Sequence, residues 1–150
     1  MTKRGILLLA ALGIGLAAII GHMLLAGKGF SRADADNPEM VAMGRIVYAD
    51  HCAACHGKQL EGEPDWRTQK ADGTLPAPPH DENGHTWHHG DELLFRYTKE
   101  GGAALAPAGF KSGMPGFAGI LSDEQIWAAL AFIKSTWPEP VRRRQEAMNR

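Results

Sequence analysis

Residues 52–56 read CAACH, two cysteines that are separated by two alanines and followed at once by a histidine. Cys52 and Cys55 are the only cysteines in the 150 residues. The spacing C-x-x-C-H is typical of a site where two thioether bonds hold a haem. Residues three apart lie on one face of a helix, so both sulfurs can reach one flat macrocycle. His56 can then place an imidazole nitrogen on the iron from the same side.

Other chemistry is open to a C-x-x-C pair, which can form a disulfide, act as a redox dithiol or hold half a zinc site. The redox motif of thioredoxin opens a helix after a strand, whereas this pair closes a helix. There is no second cysteine pair for zinc, although histidines could supply the remaining ligands: His51, His80, His85, His88 and His89. We therefore interpret the motif as the attachment site of one covalent haem c, and His51 as a surface histidine.

The chain before the motif predicts a helix that ends near Asp50. Asn37 is a suitable cap, and Pro38 suits the first helical position because its missing N–H would have no partner there. Val41, Gly44 and Tyr48 share one face of this helix. The helix delivers the two cysteines at its end.

A second helix is indicated near the C-terminus. Ser122 and Gln125 form a capping box, and Leu121 with Ile126 forms a hydrophobic staple. An apolar stripe follows, before Pro138 and Pro140 stop the helix: Ile126, Ala129, Leu130, Ile133 and Trp137.

Residues 90–102, GDELLFRYTKEGG, predict a third and shorter helix that two glycines end. No alternating segment is long enough to predict a strand. Residues 57–89 carry no convincing regular element, which is unusual for a compact small domain. Three helices also give a thin core. Both features are explained if the chain wraps something large and apolar.

The second axial position on the iron requires another ligand. Met114 lies in the loop SGMPGFAG, residues 112–119, where Gly113 and Gly116 allow close backbone approach and Pro115 restricts the chain. The remaining methionines lie in the N-terminal segment, on the helix before the cysteines or in the tail: Met1, Met23, Met40, Met43 and Met148. We expect Met114 to be the ligand, and a His/Met pair raises the reduction potential. His85, His88 and His89 are the alternatives.

The N-terminal segment has the composition of a membrane helix. Lys3 and Arg4 precede 23 residues without a charged side chain, GILLLAALGIGLAAIIGHMLLAG. As a helix, residues 5–25 would be about 31 Å long, enough to cross a hydrocarbon layer of about 30 Å. The preceding cations place the N-terminus in the cytoplasm and the rest outside. We favour a retained anchor, although ADA at 33–35 is a plausible cleavage site.

From about Asn37 to Trp137 the sequence resembles a class I cytochrome c, a small all-α monohaem protein. The resemblance rests on the helix that ends in CAACH, the MPGF loop and LSDEQIWAALAFIKSTWP. It implies a cytochrome c-like domain of about three main helices wrapped around one covalent haem, here preceded by an N-terminal transmembrane helix.

The resemblance also implies two specific contacts. Gly44 and Tyr48 are expected to pack against the last helix, at Trp127, Leu130 and Phe132. A proline carbonyl is expected to accept the hydrogen bond from the axial histidine, and Pro76, Pro78 and Pro79 are all candidates.

These interpretations divide the chain into four parts. Residues 1–27 are an anchor or uncleaved signal, 28–37 a linker, 38–138 the cytochrome c domain and 139–150 a basic tail that ends in VRRRQEAMNR. We expect the tail to be a solvated end, and contact with anionic lipid or an acidic partner is its alternative. Without Lys3 and Arg4, 14 basic residues face all 17 acidic ones, so nothing favours nucleic acid binding.

The predicted function is one-electron transfer on the outer, periplasmic side of the cytoplasmic membrane. Its partners would be redox proteins and the membrane, with no small-molecule substrate and no enzymatic activity of its own. A haem-based sensor or ligand-binding protein, or a minor peroxidase, is the alternative if the Met114 bond is weak or absent. Metal handling by the loop from His80 to His89 is a third possibility, since clustered imidazoles suit copper or zinc.

Overall fold

The computed structural model describes residues 30–149, and the regular elements in this range are helical. The α-helices are α1 (Pro38–His51), α2 (Ala53–His56), α3 (Asp91–Glu100), α4 (Gly102–Leu105), α5 (Asp123–Ser135) and α6 (Glu139–Glu146), with 3-10 turns at Thr86–His88 and Ala147–Asn149. The range contains no strand, only two isolated bridges, Thr74 with Lys111 and Ala118 with Leu121. The all-α prediction is therefore confirmed for these residues, and α1, α3 and α5 are the three helices predicted.

The predicted transmembrane segment, residues 5–25, lies outside the described residues. Within 30–149, no helix has both the length and the apolar character required to cross a bilayer. The long irregular segment after the cysteines is present as predicted, because the 3-10 turn Thr86–His88 is the only regular helix in residues 57–89.

Local side-chain chemistry starts the two longest helices where the sequence indicates. The Asn37 side chain accepts hydrogen bonds from the first-turn N–H groups of α1, each at 3.1 Å. The full capping box forms at α5, where Ser122 and Gln125 each satisfy the backbone N–H of the other, at 2.9 and 3.2 Å. Each cap provides partners for N–H groups that a helix start otherwise leaves free.

α1 and α5 cross at Gly44, with almost no space between their backbones. A β carbon at Gly44 would lie 1.8 Å from the Ala128 carbonyl oxygen and 2.9 Å from Phe132 Cβ. Tyr48 packs on Phe132 with ring centroids 5.4 Å apart. The predicted close approach is confirmed at these residues, whereas the Trp127 ring stacks on Phe95 of α3, at 4.3 Å.

The apolar stripe predicted for α5 is too narrow. Every residue from Ile126 to Lys134 is buried, because α1, α3, the first described residues and the chain's end cover different sides of this helix. α5 is therefore the central helix of the domain.

A buried ion pair joins α5 to α3. Lys134 Nζ lies 2.8 Å from Asp91 Oδ2, and the two side chains are only 5% and 13% exposed. Lys134 also donates to the Ala33 carbonyl at 3.2 Å, and Gln145 Nε2 donates to Asp91 Oδ1 at 2.6 Å. The Asp91 carboxylate thus connects α3 with α5 and α6. The Lys134 ammonium also binds the chain before α1.

The basic tail is mostly exposed, as its composition suggested, but it is helical and partly packed. It forms α6, in which Gln145 is completely buried and Arg142 pairs with Asp36 at 2.8 Å. Pro138 caps the start of this helix. A short helix whose net charge is basic can still pack when one polar residue has buried partners, which composition alone does not indicate.

Candidate haem site

The two cysteines lie at the junction of α1 and α2. Cys52 lies between the two helices, as the C-cap of α1 and the N-cap of α2, and Cys55 lies within α2. They form no disulfide with each other, and Cys55 is exposed whereas Cys52 is partly buried. Burial, with a smaller contribution from Cys55, raises the pKa of Cys52 to about 11. The pair therefore sits on one short helical segment, which fits the attachment of one group through two sulfurs.

His56 is buried at the end of α2, and its ring is oriented by a backbone carbonyl. His56 Nδ1 lies 2.8 Å from the Pro78 carbonyl oxygen. A carbonyl can only accept, so Nδ1 carries the hydrogen and Nε2 keeps its lone pair. Burial lowers the pKa of His56, although the bond to Pro78 opposes this. A neutral imidazole with a free Nε2 and an oriented Nδ1–H has the form that binds iron.

The structure selects Pro78 among the three candidate prolines, and two glycines explain its position. A β carbon at Gly62 would lie 2.5 Å from Pro79 N, and one at Gly84 would lie 2.0 Å from Pro79 O. Gly62 also has φ +71°, which disfavours other residues. The backbone of Pro78 and Pro79 is thus held between two glycines, neither of which the sequence reasoning identified.

Tyr48 supports the same region from α1. Its hydroxyl donates to the Gly57 carbonyl at 2.8 Å, one residue beyond the end of α2. Burial raises the pKa of Tyr48, so the hydroxyl stays protonated and remains a donor. The helix crossing at Gly44 therefore positions a side chain that holds the haem motif in place.

His80 is the residue of the site that sequence reasoning placed only among unexplained loop histidines. Its ring stacks on His56 with centroids 3.9 Å apart and planes at 22°. His80 Nδ1 lies 2.6 Å from Thr86 Oγ1, its N–H donates to the Leu60 carbonyl at 2.8 Å, and Trp137 Nε1 donates to its carbonyl at 2.7 Å. Burial, and then the neighbouring imidazole of His56, hold the pKa of His80 well below its usual value.

The Met114 loop is attached to the end of α3 by three backbone hydrogen bonds. Their donors and acceptors are Gly102 N to Met114 O at 3.1 Å, Phe117 N to Thr98 O at 3.0 Å and Ala118 N to Lys99 O at 2.9 Å. Met114 itself is half-buried, and its N–H donates to Ser112 Oγ at 3.2 Å. The loop is therefore an ordered segment despite its glycines and proline.

The two loop glycines differ in their surroundings. A β carbon at Gly116 would lie 2.8 Å from the Glu100 carbonyl, so close approach requires glycine there. A β carbon at Gly113 would meet no protein atom within 4 Å, so protein packing does not require glycine there, and the close backbone approach expected of Gly113 stays a prediction. Gly116 also lies against the backbone of Gly101. Gly101 is the C-cap of α3 and has φ +87°, a left-handed conformation that favours glycine.

The histidines of residues 85–89 contact one another. His85 Nε2 and His89 Nε2 are 2.9 Å apart, and His88 stacks on Trp87 at 3.7 Å. Between residues 30 and 149, no three His, Cys, Asp or Glu side chains converge as a metal site would require. Metal handling by this loop stays a prediction.

Taken together, a helical domain, a C-x-x-C-H motif without a disulfide and a buried histidine oriented by a carbonyl define a c-type cytochrome. The family described as Cytochrome c matches residues 41–137, and the chain belongs to that family. It therefore carries a covalently bound c-type haem. The thiosulfate dehydrogenase of Stutzerimonas stutzeri (strain A1501) is 32% identical over 97 residues, which cover 63% of this chain and 27% of that protein. No solved structure matches.

Proposed function

We propose that this protein is a one-electron carrier whose haem is bound through Cys52 and Cys55, with His56 and Met114 as axial ligands. The haem supplies an iron that gains or loses one electron without a change in its protein bonds. The observation that carries the proposal is the 2.8 Å contact between His56 Nδ1 and the Pro78 carbonyl in a buried ring. This contact leaves Nε2 of a neutral imidazole as the ligand atom.

The chain's own residues have separate roles in this proposal. Cys52 and Cys55 hold the group covalently, so it does not exchange between partners. The Pro78 carbonyl orients the histidine and increases its basicity, as outer partners of metal-bound histidines commonly do.

Met114 is proposed as the second ligand because its loop is both irregular and ordered. The backbone hydrogen bonds hold the Met114 loop in one place, and the absence of a side chain at Gly116 lets the loop lie against the end of α3. A thioether is a soft ligand that suits iron in cytochromes c and raises the potential. A methionine bound in both redox states leaves no position for oxygen or peroxide, so we propose no enzymatic activity.

The similarity to thiosulfate dehydrogenase bears on the partners and not on a substrate. The alignment includes 27% of that protein, so this chain spans about a quarter of its length. We carry over electron transfer alone, not activity on thiosulfate. Redox proteins that donate and accept electrons are the proposed partners.

The location is proposed from residues 1–27. Lys3 and Arg4 before a long apolar segment favour a helix that holds the haem domain at the outer, periplasmic face of the cytoplasmic membrane. N-terminal sequencing of the protein recovered from washed membranes tests this. A mature N-terminus near Asp36 would mean cleavage after ADA, and a soluble carrier.

The decisive experiment is a haem-stained denaturing gel together with absorption spectra of both redox states. We expect haem to stay with the chain, and the oxidised protein to show the far-red band of a methionine–iron bond. Met114→Ala should lose that band. Met43→Ala is the matched control, since Met43 is 36% exposed on α1 and should keep it. A band that survives Met114→Ala would refute the proposed ligand, and a wild-type protein without the band would favour a sensor or ligand-binding role.

A further inference from the structure

We propose that His80 is a positioning residue that fixes the plane of the His56 ring, an inference that rests on His56 being an axial ligand. It assigns a role to the one loop histidine that reaches the site. The two imidazole rings stack with centroids 3.9 Å apart and planes at 22°.

The stack restricts a motion that the hydrogen bond leaves free. The contact between His56 Nδ1 and the Pro78 carbonyl fixes the position of one ring atom. The ring can still pivot about that atom, because a carbonyl accepts over a broad range of directions. A flat ring packed against its face blocks the pivot. Pro78 and His80 are two residues apart, so one short segment applies both constraints.

His80 is itself held at three atoms. Thr86 Oγ1 lies 2.6 Å from its Nδ1, the Leu60 carbonyl accepts from its N–H, and Trp137 Nε1 donates to its carbonyl. A ring fixed at both its backbone and its side chain can act as a rigid support. A ring without these bonds would only fill space.

Leu60 provides a second observation that points the same way. Its φ is +65°, a left-handed conformation that a bulky residue rarely adopts. Its carbonyl is the acceptor for the His80 N–H at 2.8 Å. Backbone strain persists only where surrounding structure requires it, and such positions concentrate at functional sites. The strained turn and the stacked ring therefore belong to one arrangement.

The consequence for the protein concerns the electronic state of the iron. The orientation of an axial imidazole selects which iron orbital interacts with the ring, so one fixed plane gives one ligand field. Outer partners that are held firmly keep a site in one geometry. We therefore expect one uniform ferric form in the wild-type protein.

The test uses electron paramagnetic resonance and proton NMR of the ferric, haem-loaded full chain. His80→Ala removes the supporting face, and we expect a broadened or split low-spin signal and additional haem methyl resonances. Thr86→Val keeps the size of the side chain but removes the hydroxyl that holds His80, and should give the same change in weaker form. His80→Phe retains a flat ring but loses the bond to Thr86, so it should show the same weaker change as Thr86→Val.

His88→Ala is the matched control. His88 is an exposed histidine of the same loop that stacks on Trp87, so the variant should reproduce the wild-type signals. A low-spin wild-type signal that is unchanged in both His80→Ala and Thr86→Val would overturn the inference while leaving the proposed function intact. A high-spin wild-type signal would overturn the axial assignment, and the inference with it.

Discussion

Replacing Gly44 by alanine tests the helix crossing on which the haem site is built. The new methyl group would lie 1.8 Å from the Ala128 carbonyl oxygen and 2.9 Å from Phe132 Cβ. Ordinary contact begins near 3.4 Å, so α1 and α5 must separate. The obstacle at 1.8 Å is backbone, which cannot rotate away as the end of a side chain can.

The size of the effect follows from two opposing contributions. Forcing a methyl group into a packed site typically costs about 1–3 kcal/mol, and a backbone obstacle places this case near 3 kcal/mol. Alanine gains about 1 kcal/mol over glycine inside a helix. The net loss in the free energy of unfolding is therefore about 2 kcal/mol, which lowers Tm by roughly 10 °C for a domain of this size.

The assay is thermal and denaturant unfolding of the haem-loaded protein, followed by far-ultraviolet circular dichroism. Ile46→Ala is the control, because Ile46 lies on α1 and is 64% exposed, and the change in the free energy of unfolding should stay within about 0.5 kcal/mol. A Gly44→Ala protein as stable as wild type, or more stable, would refute the close crossing. In that case helix propensity alone would decide the outcome.

Three further variants test other parts of the structure. Gly116→Ala should push the loop away from the end of α3 and weaken the Met114 bond, so the far-red band should disappear at a lower temperature than in wild type; an unchanged melting of the band would contradict this. Lys134→Met should leave the Asp91 carboxylate buried without its cation and cost about 3 kcal/mol in urea unfolding, whereas a loss below about 1 kcal/mol would show that the pair is solvated. Ser122→Ala removes one half of the capping box and should cost about 1 kcal/mol, a reasoning that fails if unfolding does not change.

The helices and the haem motif could be predicted because their signals are local. Asn37 caps α1 within three residues, and Ser122 and Gln125 cap α5 over the same short distance. The cysteines and His56 span five residues. Caps and motifs that span only a few residues depend little on the rest of the chain, so the sequence alone was sufficient to locate the helix starts and the haem motif.

The orientation of His56 depends on residues far apart in the sequence. Its partner Pro78 lies 22 residues away, and Trp137 reaches the His80 carbonyl across 57 residues. Three prolines were equally suitable by type, and only the path of the loop between Gly62 and Gly84 selects one. Nothing local distinguishes His80 from the histidines that follow it.

The packing of α5 and α6 also depends on long-range contacts that the local sequence does not indicate. The sequence indicates a helix at α5 and its apolar side, but the burial of every residue from Ile126 to Lys134 arises from packing against α1, α3 and the chain before α1. In the sequence, α6 is only a basic C-terminal stretch. In the structure, its Gln145 side chain donates a hydrogen bond to the Asp91 carboxylate and packs the helix against α3. The sequence by itself determined the cofactor, the helices and the candidate ligands, since short-range spacing and capping carry them. Only the tertiary structure decided which carbonyl and which ring hold His56, because those contacts exist only when distant segments meet.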